Sequence, residues 1–142
     1  MKKQHKDMTE QDVENLVLKD LSERCCWYNK SQGNIYQKSG VPDYLVCLEG
    51  EFIGIETKAH NGHQLTIAQL FNGYKIVSHA EGKFIVAFGD YSKLEYLPKE
   101  TFNLSDDAKN AQEAIELSEA DYLKLETIWS KVNKTKKSVL FC

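Results

Sequence analysis

The feature that most constrains the fold is a pair of short apolar runs on either side of Glu49 and Gly50. In residues 40–59, GVPDYLVCLEGEFIGIETKA, both runs are rich in β-branched and aromatic side chains, which favour β-strands. A two-residue loop at Glu49 and Gly50 predicts an antiparallel hairpin in which Asp43 lies directly opposite Glu56. Glutamate is not favoured at the first position of such a turn. A three-residue loop with a glycine bulge is therefore the alternative, and it would turn Glu56 away from Asp43.

In the two-residue register, three charged side chains share one face of the hairpin. The Cβ atoms of Asp43 and Glu56 would be about 4.5–5.5 Å apart, and Lys58 projects from the same face because side chains alternate along a strand. An ion pair between Lys58 and one carboxylate is the simpler interpretation. However, two neighbouring carboxylates need more positive charge than one ammonium supplies, and a divalent cation with oxygen ligands meets that need. The backbone carbonyl of Thr57 could supply a further oxygen.

The rest of the chain alternates helical and strand patterns. Apolar spacing and capping residues predict helices at residues 9–24, 66–81 and 118–132. Strands are predicted at residues 25–28, 83–89 and 93–97, residues 105–116 are either a helix or an ordered loop, and residues 131–137 are a frayed basic tail. This order predicts an α/β fold with a mixed central β-sheet flanked by helices, and with an additional helix near the C-terminus.

Composition places the chain among ordinary globular domains. It has 142 residues, of which 42% are hydrophobic and 27% charged, so we expect a single domain with a real core. No run approaches the ~18 apolar residues of a membrane span, and the N-terminal segment lacks the apolar stretch of a signal peptide. We therefore expect a cytoplasmic protein with no membrane partner. The four cysteines include no CxxC pair, so we expect reduced thiols.

The charged residues restrict the kinds of nucleic-acid contact that the chain can make. The formal net charge is −3, and Arg24 is the only arginine. Bidentate arginine is the commonest reader of base edges, so this composition disfavours sequence-specific recognition. Lysine gives salt-dependent contacts to phosphates without reading sequence. A phosphate-binding surface made of lysine is therefore compatible with the composition.

The spacing of the hairpin residues resembles a known signature. Pro42-Asp43, twelve residues and then Glu56-Thr57-Lys58 resemble the motif of the PD-(D/E)XK nuclease superfamily. The lead Gly40-Val41 and the strand FIGIETK look particularly like the VRR-Nuc branch and its relatives among Holliday-junction resolvases. Members also carry a glutamate on the first helix, matched by Glu14, and a glutamine at the start of the helix after the E-x-K strand, matched by Gln69. Many relatives have valine or methionine where Thr57 stands.

The resemblance covers residues 9–89 and implies a restriction-endonuclease-like core. We take that core to span about residues 9–97, with residues 98–142 as a C-terminal helical extension of one domain. The implied activity is Mg²⁺- or Mn²⁺-dependent endonuclease cleavage of DNA, selective for structures such as junctions or flaps. The implied metal ligands are Asp43, Glu56, the Thr57 carbonyl and Glu14. Glu10, one helical turn before Glu14 on the same face, is an alternative to it.

The resemblance also assigns the remaining site residues. Lys58 would orient the attacking water and stabilise developing charge, and Gln69 would hydrogen-bond an active-site group or the phosphate. The residues expected to contact the nucleic-acid backbone are Lys30, Lys38, His60 and His63. The basic chain ends could do the same, but we interpret them as solvated tails. Small members of the superfamily commonly act as homodimers, so a dimer is also implied.

Two other functions fit the same residues. Cleavage of RNA, or cleavage within a restriction system, is not distinguished from DNA cleavage by any residue of the sequence. A catalytically inactive interaction protein of a phage or mobile element could keep the nuclease fold for another use. The acidic net charge and the C-terminal third outside the resemblance favour that alternative.

Overall fold

The computed structural model describes residues 3–31, 39–62 and 65–142. Two predicted contacts to the nucleic-acid backbone, Lys38 and His63, lie outside the described residues. Within those ranges the helices are α1 (Glu10–Glu23), α2 (Ile67–Tyr74) and α3 (Glu119–Thr135). The strands are β1 (Trp27–Lys30), β2 (Tyr44–Leu48), β3 (Glu51–Thr57), β4 (Lys83–Ala87), β5 (Glu95–Leu97) and β6 (Val139–Phe141).

The strands form one mixed sheet in the order β1-β2-β3-β4-β6-β5. The pairs β3–β4 and β5–β6 are parallel, and the other three pairs are antiparallel. The predicted α/β class with a mixed sheet is therefore confirmed. Because β3 and β4 run in the same direction, their carboxyl ends meet at one edge of the sheet, which we call the carboxyl edge.

The hairpin of β2 and β3 has the predicted two-residue loop. Glu49 has a φ of 52° and Gly50 a φ of 82°, as a type I′ turn requires at both central positions. The ladder pairs Tyr44 with Ile55 and Leu48 with Glu51. The bulged alternative is thus excluded. The left-handed conformation of Glu49 is unfavourable for an L-residue. The pairing of the strands on either side holds Glu49 in it.

Helices cover both faces of the sheet. Helix α1 begins with a capping box between Thr9 and Asp12, which satisfies amide groups at the exposed helix end. Its buried residues Val13, Val17 and Leu21 pack against one face of the β2–β3–β4 sheet. Helices α2 and α3 pack on the other face in a second core, whose largest buried rings include Phe71, Phe84 and Phe141.

Several boundaries differ from the sequence predictions, among them those of strands β1, β4 and β5. Strand β1 begins at Trp27 rather than at residue 25, and residues 105–116 form short 3₁₀ turns at Asp106–Asn110 and Ala114–Glu116. Helix α2 gives way at Lys75–His79 to a single π-helical turn. These segments are short, and propensity alone does not determine where such segments begin and end.

The prediction of a frayed tail at residues 131–137 is wrong. Helix α3 continues to Thr135, and Lys136 follows in a left-handed cap. Strand β6, which the sequence did not predict, then lies between β4 and β5. The Asp90 carboxylate fixes its start, because Asp90 Oδ1 accepts hydrogen bonds from the Ser138 amide at 2.9 Å and its hydroxyl at 2.7 Å.

Candidate active site

The charged side chains predicted from the hairpin meet near the carboxyl end of β3. Glu56 is only 1% exposed and Lys58 only 7%, although both carry ionisable groups that are rarely buried without partners. Continuing the ladder by one residue pair beyond Tyr44 and Ile55 places Asp43 opposite Glu56. The chain thus buries a glutamate and a lysine close to the half-buried Asp43, where apolar side chains would pack at lower cost.

Thr57 holds the Asp43 carboxylate in place. Asp43 Oδ2 accepts hydrogen bonds from the Thr57 backbone amide and from the Thr57 hydroxyl, each at 2.9 Å. The sequence predicted a role only for the carbonyl of Thr57. Threonine is common in β-strands, so its presence there does not indicate a role for its hydroxyl. The hydroxyl adds a contact that a valine or methionine at this position could not make. Both hydrogen bonds go to the same carboxylate oxygen, so neither engages Oδ1.

Gln69 is positioned against Glu56 by the start of helix α2. The side-chain oxygen of Gln69 accepts a hydrogen bond from the Thr66 backbone amide at 2.8 Å. The backbone amide of Gln69 donates to the Thr66 hydroxyl at 3.1 Å. This reciprocal capping box fixes the side chain. The remaining amide group, Nε2, donates to Glu56 Oε2 at 3.3 Å. The structure therefore brings Gln69 to Glu56, as expected if it contacts an active-site group.

The surroundings of Glu56 favour its neutral form. Burial, followed by the negative charge of Asp43, raises the pKa of Glu56 to about 9, and the charge of Lys58 acts in the opposite direction. In the protonated form Glu56 can share a hydrogen bond with Asp43. In the ionised form its Oε1 is buried with no hydrogen-bond donor in the part of the chain that the structure describes. Such an orphaned oxygen is costly.

The two helix glutamates occupy different surroundings. Glu14 Oε2 lies 3.3 Å from the ammonium of Lys30 on β1, so two residues with separate predicted roles form an ion pair. Burial, followed by the charge of Glu14, raises the pKa of Tyr44 to about 12. The charge of Glu10, by contrast, contributes to the raised pKa of Glu56. Glu14 is thus engaged by Lys30, and the choice between Glu14 and Glu10 as a metal ligand stays a prediction.

The carboxylates of this site offer oxygen ligands to a divalent cation. Within residues 3–31, 39–62 and 65–142, no group of three or more His, Cys, Asp or Glu side chains is arranged to hold a metal ion. Asp43 and Glu56 nevertheless offer hard oxygen donors side by side, one half-buried and one buried, and Glu56 Oε1 lacks a hydrogen-bond partner among the described residues. Mg²⁺ is commonly bound by one or two carboxylates, with water and substrate oxygens completing its shell. The donor set fits such an ion.

His60 lies two residues beyond Lys58 and is held by the end of α3. Its backbone carbonyl accepts a hydrogen bond from the Lys136 ammonium, which also donates to the Asn133 side chain at 3.3 Å. His60 lines a cleft at the carboxyl edge. The structure therefore places His60 beside the site, whereas Lys30 is engaged with Glu14.

Comparisons of the chain with protein-family models, with curated proteins and with solved structures found no match. The resemblance to PD-(D/E)XK nucleases thus depends on the motif and on the residues that surround it. In the described ranges, no helix is both long and apolar enough to cross a bilayer. All four cysteines are free, as predicted.

For the metal-dependent DNA cleavage that the motif resemblance implies, Thr57→Val is expected to lower Mn²⁺ affinity and cleavage about tenfold, in the range found when residues that orient metal ligands are mutated. The change keeps the side-chain shape but removes the hydroxyl hydrogen bond to Asp43, so the carboxylate is held less firmly. Calorimetric titration with Mn²⁺ and steady-state cleavage measure the two effects.

Thr127→Val is the matched control, because the Thr127 hydroxyl donates to the Leu123 carbonyl at an exposed position of helix α3, away from the candidate site. It should leave both measurements unchanged. Unaltered Mn²⁺ affinity and cleavage in Thr57→Val would show that the hydroxyl does not position Asp43.

Proposed function

We propose that the protein is a divalent-metal-dependent nuclease of PD-(D/E)XK type that hydrolyses phosphodiester bonds in DNA. The observation that carries this proposal is the burial of Glu56 and Lys58 next to the half-buried Asp43, with one oxygen of Glu56 lacking a donor among the described residues. Buried ionisable groups of this kind reduce stability unless they are paired. Their retention at the end of a central strand is typical of functional sites.

Each side chain of the candidate site has its own role in the proposed reaction. A Mg²⁺ or Mn²⁺ ion held by Asp43 and Glu56 would supply positive charge that activates water and neutralises charge on the phosphate. Lys58 carries a compact ammonium whose charge acts on Glu56, and it can stabilise charge that develops on the phosphate oxygens. Gln69 orients Glu56 through its remaining amide group. Thr57 orients Asp43, so both carboxylates are positioned before substrate binds.

We also propose that the protein selects its DNA substrate by the structure of the DNA and not by its base sequence. The single arginine, Arg24, forms an ion pair with Asp20 at 2.9 Å on helix α1. No other guanidinium exists in the chain to read guanine edges. Lysine contacts to phosphates respond to the path of the backbone and not to its sequence. DNA junctions and flaps differ from plain duplex in that path.

The test is incubation of the purified protein with linear, nicked, flapped and four-way-junction DNAs, with Mg²⁺, with Mn²⁺ or with EDTA. Cleavage that requires the metal is expected, with branched substrates cut faster than the linear duplex of the same sequence. RNA strands of matched sequence form a second panel. Absence of metal-dependent cleavage of every DNA would overturn the proposed activity, and cleavage of RNA alone would change the substrate class.

A second candidate is a non-catalytic interaction protein that keeps the nuclease-like site without using it. Two observations favour it. A proton shared between Glu56 and Asp43 can satisfy the buried carboxyl groups without any metal, and Glu14 is already occupied by Lys30. Calorimetric titration with Mn²⁺ separates the candidates. The nuclease requires a Mn²⁺ site that is lost in Glu56→Gln, whereas the interaction protein requires no such site.

A further inference from the structure

A basic cleft of about 420 Å³ lies at the carboxyl edge of the sheet. Among the described residues, four lysines line it, and Asp90 is its only acidic residue. The lysines are Lys3, Lys6, Lys136 and Lys137. This concentration of positive charge occurs in a chain whose formal net charge is −3. The basic chain ends, interpreted from the sequence as solvated tails, therefore meet in one place.

Three separate segments build the cleft. The first is the N-terminal turn His5–Asp7, which packs so closely on Gly89 that an added Cβ there would lie 3.1 Å from the Cα of His5. The second is the loop after β3, which contains His60. The third is the connection from α3 to β6, where the Lys136 ammonium bonds to the His60 carbonyl. These contacts hold together parts of the chain that are far apart in sequence.

The acidic residue in the lining does not cancel the positive charge. The Asp90 carboxylate is used internally, since its Oδ1 accepts the amide and hydroxyl of Ser138. Lys3 is partly neutralised by Asp12, whose carboxylate lies 2.8 Å from its ammonium. Lys6 and Lys137 are both exposed. Their ammonium groups are therefore the ones best placed to meet an external anion.

The cleft is adjacent to the candidate active site. His60 lines the cleft and follows Lys58 by two residues, so their Cα atoms are no more than about 7 Å apart. Successive phosphates along one strand of a duplex advance by about 3.4 Å along its axis. A backbone whose scissile phosphate lies at Lys58 would thus bring phosphates only a few nucleotides away into the cleft.

We propose that this cleft binds the phosphodiester backbone of a nucleic acid next to the phosphate that is cleaved. The inference depends on the proposed nuclease function for its substrate and adds the surface along which that substrate runs. Lysine ammonium groups bind phosphates without regard to base sequence, so the cleft provides affinity and direction and no sequence specificity. DNA and RNA present the same backbone chemistry to it.

The test is the salt dependence of binding to a fluorescein-labelled 20-nucleotide duplex, measured by anisotropy in EDTA. The double variant Lys6→Gln/Lys137→Gln is compared with the wild-type protein between about 50 and 200 mM salt. Affinity at 100 mM salt is expected to fall about tenfold. The slope of log affinity against log salt concentration should decrease by about 1.8, because each lost phosphate contact removes about 0.9.

Lys19→Gln/Lys124→Gln is the matched control, since both lysines are exposed on helices and neither lines the cleft. It removes the same charge and should leave both the affinity and the slope within error of the wild type. Equal losses in the two double variants would show a general charge effect and overturn the inference. Failure of the wild-type protein to bind either the duplex or an RNA strand of matched sequence would also overturn it.

The binding test of the cleft and the cleavage test of the nuclease can fail independently of each other. Binding that needs Lys6 and Lys137, in a protein that cleaves no DNA with any metal, would support the cleft and overturn the nuclease. Metal-dependent cleavage with the same KM in the wild-type protein and in Lys6→Gln/Lys137→Gln would support the nuclease and overturn the cleft. Circular dichroism melting of both double variants confirms that the fold is retained.

Discussion

Lys58→Met is expected to reduce Mn²⁺-dependent DNA cleavage by about 100- to 1000-fold, the usual cost of removing one group that stabilises transition-state charge. The methionine side chain fills a similar space but has no ammonium to place beside Asp43 and Glu56. Since Lys58 acts to lower the pKa of Glu56, its loss also favours the protonated form of that carboxyl group. Single-turnover cleavage with excess enzyme measures the chemical step directly.

Lys83→Met is the control for that result. Lys83 lies at the opposite end of the sheet, where its ammonium pairs with Glu51 at 2.6 Å. Its replacement removes a strand lysine and an ion pair without touching the candidate site, so cleavage should stay close to that of the wild type. Full activity in Lys58→Met would contradict the proposed mechanism. Thermal melting of both variants separates loss of activity from loss of fold.

Glu56→Gln is expected to stabilise the metal-free protein at alkaline pH. The pKa of Glu56 is about 9 in the folded protein, against an ordinary value of 4.5. The neutral form is therefore the one that the fold favours, and its stabilisation is complete below pH 4.5 and lost as the pH rises towards 9. Glutamine is neutral at every pH. The free energy of unfolding of the variant should therefore not fall in this way as the pH rises.

Urea unfolding in EDTA at pH 5, 6.5 and 8 measures the effect. Because a tenfold change in proton affinity corresponds to about 1.4 kcal/mol, the gain at pH 8 should reach a few kcal/mol and should shrink at pH 5. Glu51→Gln removes an exposed carboxylate from the same strand and should show no comparable gain. An equal loss of stability in Glu56→Gln at all three pH values would contradict the assignment of Glu56 as a buried, unfavourably ionised group.

Added Mn²⁺ should reverse the order of stability of the two proteins. An ion that binds only the folded state stabilises it in proportion to the logarithm of its concentration above the dissociation constant. The wild-type protein should therefore gain stability with Mn²⁺ at pH 8, whereas Glu56→Gln should gain little. This comparison links the stability measurement to the proposed metal site.

Local patterns were sufficient to predict the hairpin and its register. The apolar runs and the Glu49-Gly50 pair determine which residues face each other, so the opposition of Asp43 and Glu56 follows from short-range information. The capping residues Thr9 and Thr66 likewise lie next to the helices that they start. The motif spacing then indicated which buried charges to examine.

Features that depend on tertiary packing were missed. The pairing of Glu14 with Lys30 joins residues 16 positions apart, and neither residue alone indicates the other. Strand β6 has only three residues, too few for a periodic signal. The basic cleft was missed because it forms only where residues from both ends of the described chain pack against the loop after β3.

The position of β6 also has a consequence for synthesis on the ribosome. Strand β4 has β3 on one side and gains its other neighbour only when residues 139–141 are available, and β5 joins the sheet only through β6. The parts of the chain made first therefore cannot complete the sheet by themselves. We expect the protein to fold as one late, cooperative event with many non-local pairings, which form slowly. Nascent chains that lack β6 would expose the edge of β4, a site at which other chains can pair and aggregate.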